Sequence, residues 1–126
     1  MGVTEQGIEG EQFLFKLLKS KGLSFFQPDA IGFKDNKYYL FEVKHQARFK
    51  APPFDGHGLP IWQIKARLDF QDKTTIICVL VIWDSETNEI FYNRLDALEK
   101  GKYIDTHGLK PRRVYELTNF KMVKNR

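Results

Sequence analysis

The chain has 126 residues, 42% of them hydrophobic and 14% aromatic, enough for one compact core and too few for two domains of ordinary size. Twenty Lys and Arg against sixteen Asp and Glu leave a formal charge of +4, and hydrophobicity this high excludes a mainly disordered chain. The longest apolar run, Ile76 to Trp83, is too short to span a bilayer. The acidic, polar start MGVTEQGIEGEQ does not have the form of a signal peptide, so a cytoplasmic protein without membrane contact is expected.

The first periodic segment runs from about Thr4 to Lys21 and stops at Gly22, a helix terminator. On a helical wheel Glu11 falls among Ile8, Leu14, Phe15 and Leu18, while Glu9 points away. Either the stripe ends before Glu11 and the first turn frays into solvent, or a carboxylate sits on a core-facing stripe and requires a partner. Leu23–Phe26 is a short strand candidate, followed by Pro28-Asp29. Ala30–Lys34 and Lys37–Lys44 form a predicted hairpin around Asp35-Asn36. In its second strand Leu40, Glu42 and Lys44 share one face, and Tyr39, Phe41 and Val43 the other.

The composition of residues 45–60, HQARFKAPPFDGHGLP, predicts a long loop, with His57 exposed. Arg48 and Lys50 make that loop basic, suited either to a nucleic-acid groove or to a plain surface connection. Pro60 opens a predicted helix from Ile61 to about Gln71. Thr74–Trp83 reads as a buried central strand, with Cys78 a buried thiol. A turn at Asp84–Asn88, a strand at Glu89–Arg94 and a helix at Leu95–Lys100 follow, then weak strands near Arg113–Leu117 and Phe120–Val123. Trp62 and Trp83 are expected in the core. From Lys110 onward six bases, Arg112 and Arg113 among them, face Glu116 alone. That bias fits either a phosphate backbone or a solvated basic surface. The order of elements predicts a mixed α/β core with helices flanking one sheet.

Chemistry concentrates at Glu11, Asp29 and Glu42-Val43-Lys44. Glu42 and Lys44 leave the same sheet face, and Asp29 opens the neighbouring strand, where its carboxylate can stand beside Glu42. Converging carboxylates suit Mg²⁺ or Mn²⁺, and an adjacent ammonium can orient a water or neutralise charge on a phosphate. The competing reading is an amphipathic hairpin whose outer face is simply charged. Walker, HExxH, GxSxG and paired CxxC motifs are absent from the chain.

Pro28-Asp29 followed thirteen positions later by Glu42-Val43-Lys44 resembles the PD-(D/E)XK nuclease superfamily. The stretch GEQFLFKLLKSKG, with Glu11 eleven residues before Gly22, resembles the first helix of archaeal-type Holliday junction resolvases. Gln63, Arg67-Leu68 and Phe70 resemble the glutamine-bearing helix after the E-X-K strand. The resemblance covers about residues 7–84 of a single domain, 1–126, leaving an accessory tail from about 85 to 126. It implies a restriction-endonuclease-like three-layer fold, a central mixed sheet flanked by helices. It also implies Mg²⁺-dependent hydrolysis of DNA phosphodiesters, with branched recombination or repair DNA among the candidate substrates. Asp29, Glu42 and the Val43 carbonyl would ligate the ion, and Glu11 would complete the shell directly or through water. Lys44 would activate or position the attacking water, and Gln63 would hold Lys44 or a phosphate oxygen. Cutting both strands of a duplex leads to the expectation of a homodimer. The alternative from another class is a non-catalytic nucleic-acid-binding module on the same scaffold.

Overall fold

The computed structural model describes residues 30–124. The predicted first helix, the strand at 23–26 and the Pro28-Asp29 pair lie outside the described residues. Strands β1 (Ala30–Lys34) and β2 (Lys37–Gln46) form the expected hairpin, in register from Ala30↔Phe41 to Lys34↔Lys37. Its turn uses Asp35 and Asn36 at φ 53° and 60°. Two successive left-handed residues match the twist of the flanking strands, and Asp and Asn tolerate that conformation best after Gly. Among the described residues β1 accompanies β2 as far as Phe41. Along its other edge β2 pairs in parallel with β5 (Ile77–Asp84), from Tyr39↔Ile77 to Gln46↔Asp84. β6 (Glu89–Arg94) and β9 (Lys121–Lys124) extend the sheet antiparallel, giving the order β1-β2-β5-β6-β9.

The predicted loop at 45–60 is instead largely strand. β2 runs on to Gln46, and β3 (Phe49–Ala51) and β4 (Phe54–Pro60) form a second hairpin. They belong to a separate antiparallel sheet, β3-β4-β8-β7, with β7 at Tyr103–Asp105 and β8 at Arg112–Glu116. The glycines that make β4 look like a loop are what allow it to pair. A Cβ on Gly56 or Gly58 would collide with the Tyr115 or Arg113 carbonyl of β8.

Helix α1 (Ile61–Thr74) starts after Pro60 as expected and ends on Thr75, whose left-handed N–H bonds the Gln71 carbonyl at 2.8 Å. It is the crossover that a parallel β2–β5 pair requires. Ile64 from α1 packs into a cluster with Leu40, Leu80 and Ile82 of the main sheet. The same cluster takes in Leu95 and Leu98 of a short helix α2 (Leu95–Glu99), Phe91, Tyr115 and Phe120. Residues after 84 thus contribute five side chains to this cluster. Cys78 is buried as expected, and burial pushes its thiol up to about 11. Both tryptophans depart from expectation: Trp62 is 66% exposed and Trp83 42%. Among the described residues no helix is long and apolar enough to cross a membrane.

The two sheets are fastened at Asp84, the last residue of β5 and fully buried. Its Oδ2 accepts from Arg48 Nε at 2.7 Å and lies 2.8 Å from His57 Nε2; its Oδ1 accepts the Glu86 and Thr87 N–H groups. His57, expected in solvent, is 0% exposed on β4. Burial holds its imidazole below the ordinary value, against the pull of Asp84. Nε2 donates to Asp84, and Gln46 Oε1 lies 3.2 Å from Nδ1. Burial alone would raise the Asp84 carboxyl, but Arg48, His57 and the two N–H groups outweigh it and hold the carboxyl well below the usual range.

Breaking this clamp takes the shorter of two carboxylate contacts from the part-buried Arg48 and the hydrogen-bond partner from buried His57. Asp84→Asn lowers the unfolding free energy by about 3 kcal/mol in urea titration at pH 7. Both folded-state shifts are downward, so their stabilisation is complete above the unfolded values. The wild-type urea midpoint therefore falls as pH drops below 6.5, the ordinary imidazole value, and again below 3.8, the ordinary carboxyl value.

Candidate active site

Along the α1-facing side of β2 the residues read Leu40, Glu42, Lys44, Gln46. In register beside them on β5 stand Cys78, Leu80, Ile82 and Asp84. The apolar half of this surface lies under Ile64; the polar half occupies the carboxyl end of the parallel pair. In open α/β sheets that end is where ligands are held. Glu42 is 6% exposed, and Lys44 Nζ lies 3.9 Å from its Oε1. Arg67 of α1, also buried, donates from Nη2 to the same oxygen at 3.3 Å.

Because α1 returns the chain between two parallel strands, it runs antiparallel to β2. Gln63 lies four residues before Arg67, on the same face of α1. Its Oε1 is buried and has no hydrogen-bond partner. The structure thus brings Glu42, Lys44 and Arg67 together. Val43 turns its side chain to the opposite sheet face, 47% exposed, so only its backbone can contribute here. His45 shares that opposite face and stacks on Trp83, ring centroids 4.2 Å apart, as its strand position requires. Glu11 and Asp29 lie outside the described residues. Among the described residues no three His, Cys, Asp or Glu side chains gather as a ligand set. Glu42, the one described carboxylate here, is already paired with Lys44 and Arg67.

Of the four basic residues expected at nucleic acid, the structure commits two to other work. Arg48 bonds Asp84 and reaches Glu89 at 3.2 Å. Arg113 binds Glu99 at 2.7 and 2.9 Å and Asp105 at 2.8 and 3.0 Å, and lies over the Tyr103 ring. Hydrogen bonding to Asp105 leads the causes that raise its pKa. Lys50 is exposed near Asp55 and Glu86, and Arg112 stacks over Phe49 while donating to the Gly58 carbonyl. Sequence reasoning missed Arg67 as a partner of Glu42, although its i+4 spacing from Gln63 marks one helix face. It also missed His57 and Asp84, because no local pattern joins two residues on different sheets.

The fold has a counterpart among solved structures. Archaeoglobus fulgidus Hjc, a Holliday junction resolvase from an archaeal hyperthermophile, superposes with a TM-score of 0.51. The match covers 94% of this chain and 93% of that one at 12% identity. Such a likeness shows the fold, and the restriction-endonuclease-like mixed α/β architecture expected from the sequence is the one found. The chain matches no family model and no curated protein sequence.

Removing Arg113 leaves Glu99, Asp105 and the Tyr115 hydroxyl, which donates to Glu99 at 2.9 Å, without their shared cation. Arg113→Ala lowers stability by about 2 kcal/mol or more in urea titration. Arg112→Ala changes it by well under 1 kcal/mol.

Proposed function

We propose that this protein is a Mg²⁺-dependent endonuclease that hydrolyses phosphodiester bonds of branched DNA, working as a homodimer. The observation that carries the reading is the Glu42–Lys44 pair. A buried carboxylate and a partly exposed ammonium share one face at the carboxyl end of a parallel strand pair, under an α1 face bearing an unpartnered amide oxygen. The likeness to the fold of a Holliday junction resolvase supports branched DNA as the substrate class.

In this reading Glu42 and the Val43 carbonyl hold the ion from β2. Asp29 supplies a second carboxylate from the residue before Ala30, and Ala30 stands opposite Phe41, the neighbour of Glu42. Glu11 supplies a third carboxylate, directly or through water. Mg²⁺, when bound, polarises the phosphate and favours hydroxide over water. Lys44 orients the attacking water and balances the charge that grows on the phosphate oxygens, and Gln63 accepts a hydrogen bond from the Lys44 ammonium. Mn²⁺ satisfies the same donors. Lys50 and Arg112, on the second sheet, are the described bases assigned to the DNA backbone. A pair of active sites related by a two-fold axis cuts two strands of like geometry.

A second reading has one observation in its favour. Arg67 already neutralises Glu42, so the scaffold is electrostatically complete as a non-catalytic nucleic-acid-binding module.

Cleavage assays separate the two. With Mg²⁺, the wild-type protein cuts a four-way junction in preference to linear duplex or single strand. Lys44→Ala, Glu42→Gln and Asp29→Asn each lower the rate by about 100-fold or more. Circular dichroism of the Lys44→Ala protein stays unchanged. Wild-type cleavage by folded Lys44→Ala protein overturns the mechanism, and no cleavage of any substrate by the wild type establishes the binding module.

A further inference from the structure

Trp62, in the first turn of α1, is exposed, and Leu109 stands fully exposed between β7 and β8. The fold puts both on one surface. The Ile61 N–H donates to the Pro111 carbonyl at 3.0 Å, tying the start of α1 to the connection that carries Leu109. That connection is pinned at its base. The Thr106 N–H donates to the Arg112 carbonyl at 2.8 Å, and the Arg112 N–H to Thr106 Oγ1 at 3.0 Å. Lys65 lies three residues after Trp62, on the same side of the helix. Arg113 leads the causes that hold the Asp105 carboxyl below its ordinary value, and His107 and Lys65 add to it. The Trp62 side of α1 therefore looks toward β7.

Uncovered apolar side chains with a polar rim mark a contact surface, and the rim decides the occupant. Lys65, His107 and Lys110 are exposed. Arg112 lies over the Phe49 ring and donates to the Gly58 carbonyl, neither of which cancels its charge. Asp105, the acid these bases face, is already bonded by Arg113 at 2.8 and 3.0 Å. A second copy of the chain would bring like charges together here, whereas a nucleic acid offers flat apolar bases between phosphates.

Resting on the DNA reading above, we propose that Trp62 and Leu109 form a contact surface for unstacked bases. Trp62 stacks on a base that has left its helix, Leu109 adds apolar contact, and Lys65, Lys110 and Arg112 meet the flanking phosphates. Bases inside a linear duplex have their faces covered by their neighbours, so the surface favours branch points and single strands. α1 runs antiparallel to β2 and Arg67 meets Glu42, so the turn bearing Trp62 lies toward the Lys44 end.

The test reads Trp62 fluorescence in the full-length Trp83→Phe protein, which retains one tryptophan of the two. EDTA is present so that nothing is cut. A four-way junction and an oligothymidylate strand each quench the signal strongly, and a linear duplex of equal length quenches it little. Trp62→Ala weakens binding of junction and single strand by about tenfold, and of duplex by less than about twofold. Trp62→Phe, which keeps a ring, recovers most of the loss, and Leu109→Ala costs severalfold. If the wild type shifts the junction in gels while Trp62 fluorescence and Trp62→Ala affinity stay unmoved, the base contact is overturned and the DNA reading stands. Equal losses on junction and duplex overturn it too, as does a fall in molar mass of Trp62→Ala, which would make the surface an interface between copies. A wild type that shifts no nucleic acid removes both readings. Should Trp62→Ala not fold by circular dichroism, the fluorescence of the Trp83→Phe protein decides alone.

Discussion

Parallel pairing of β2 with β5 is the constraint on which the rest of the molecule depends. Two parallel neighbours cannot be joined by a tight turn, so the chain must leave the sheet, cross one face and return. Here the crossover carries both the β3–β4 hairpin and α1. That path fixes the direction of α1 against β2 and sets Arg67 over Glu42. It also delivers Gln46 and Asp84 to the same end of the sheet, in register, where His57 of the second sheet closes over them. The fold's polar surface is thus concentrated at the carboxyl end of one strand pair.

Polarity along that strand pair changes in a graded way. Leu40, Leu80 and Ile82 bury apolar area under Ile64, which stabilises the sheet-to-helix contact at about 25 cal/mol per Å² removed from water. Two residues further on, the same face carries ionised groups, each of which must be paired to remain buried. Glu42 is matched by Arg67 and Lys44, and Asp84 by Arg48, His57 and two backbone donors. The two carboxylates differ in kind. All the hydrogen bonding drawn around Asp84 comes from the fold itself, whereas Glu42 lies beside a partly exposed ammonium. The first is a structural joint. The second has capacity left over for chemistry.

Legibility from sequence followed the range of the interactions involved. The Asp35-Asn36 hairpin, the start of α1 at Pro60 and the central strand around Cys78 are set by local turn chemistry and apolar runs, and each stands where it was expected. Alternation on β2 correctly put Glu42 and Lys44 on one face, with Val43 and His45 on the other. The segment 45–60 was misread because Gly and Pro are loop residues by composition. Gly56 and Gly58 are required instead by the close approach of β8, more than fifty residues away in the chain. His57 looked exposed for the same reason: its partner Asp84 belongs to another sheet. The basic bias after Lys110 was real, but charge composition cannot tell a solvent-facing arginine from Arg113, whose acids arrive from α2 and β7. Trp62 and Trp83 show the complementary error, since aromatic character predicts burial only where some element covers the residue. Glu11 and Asp29, the other half of the proposed site, lie outside the described residues.

The β4–β8 pairing has a consequence for how the protein is made. Gly58 of β4 and Arg112 of β8 lie 54 residues apart, and Arg112 donates to the Gly58 carbonyl. During synthesis, β4 emerges long before its partner exists. Its side-chain-poor backbone, DGHG, then presents unsatisfied amides and carbonyls on an edge that other chains can pair with. Contacts of such sequence separation also slow folding relative to local ones. The last fifteen residues of the chain include the strand that seals this edge within β8's reach, so nascent or C-terminally shortened forms carry an open template for self-association that the finished fold conceals.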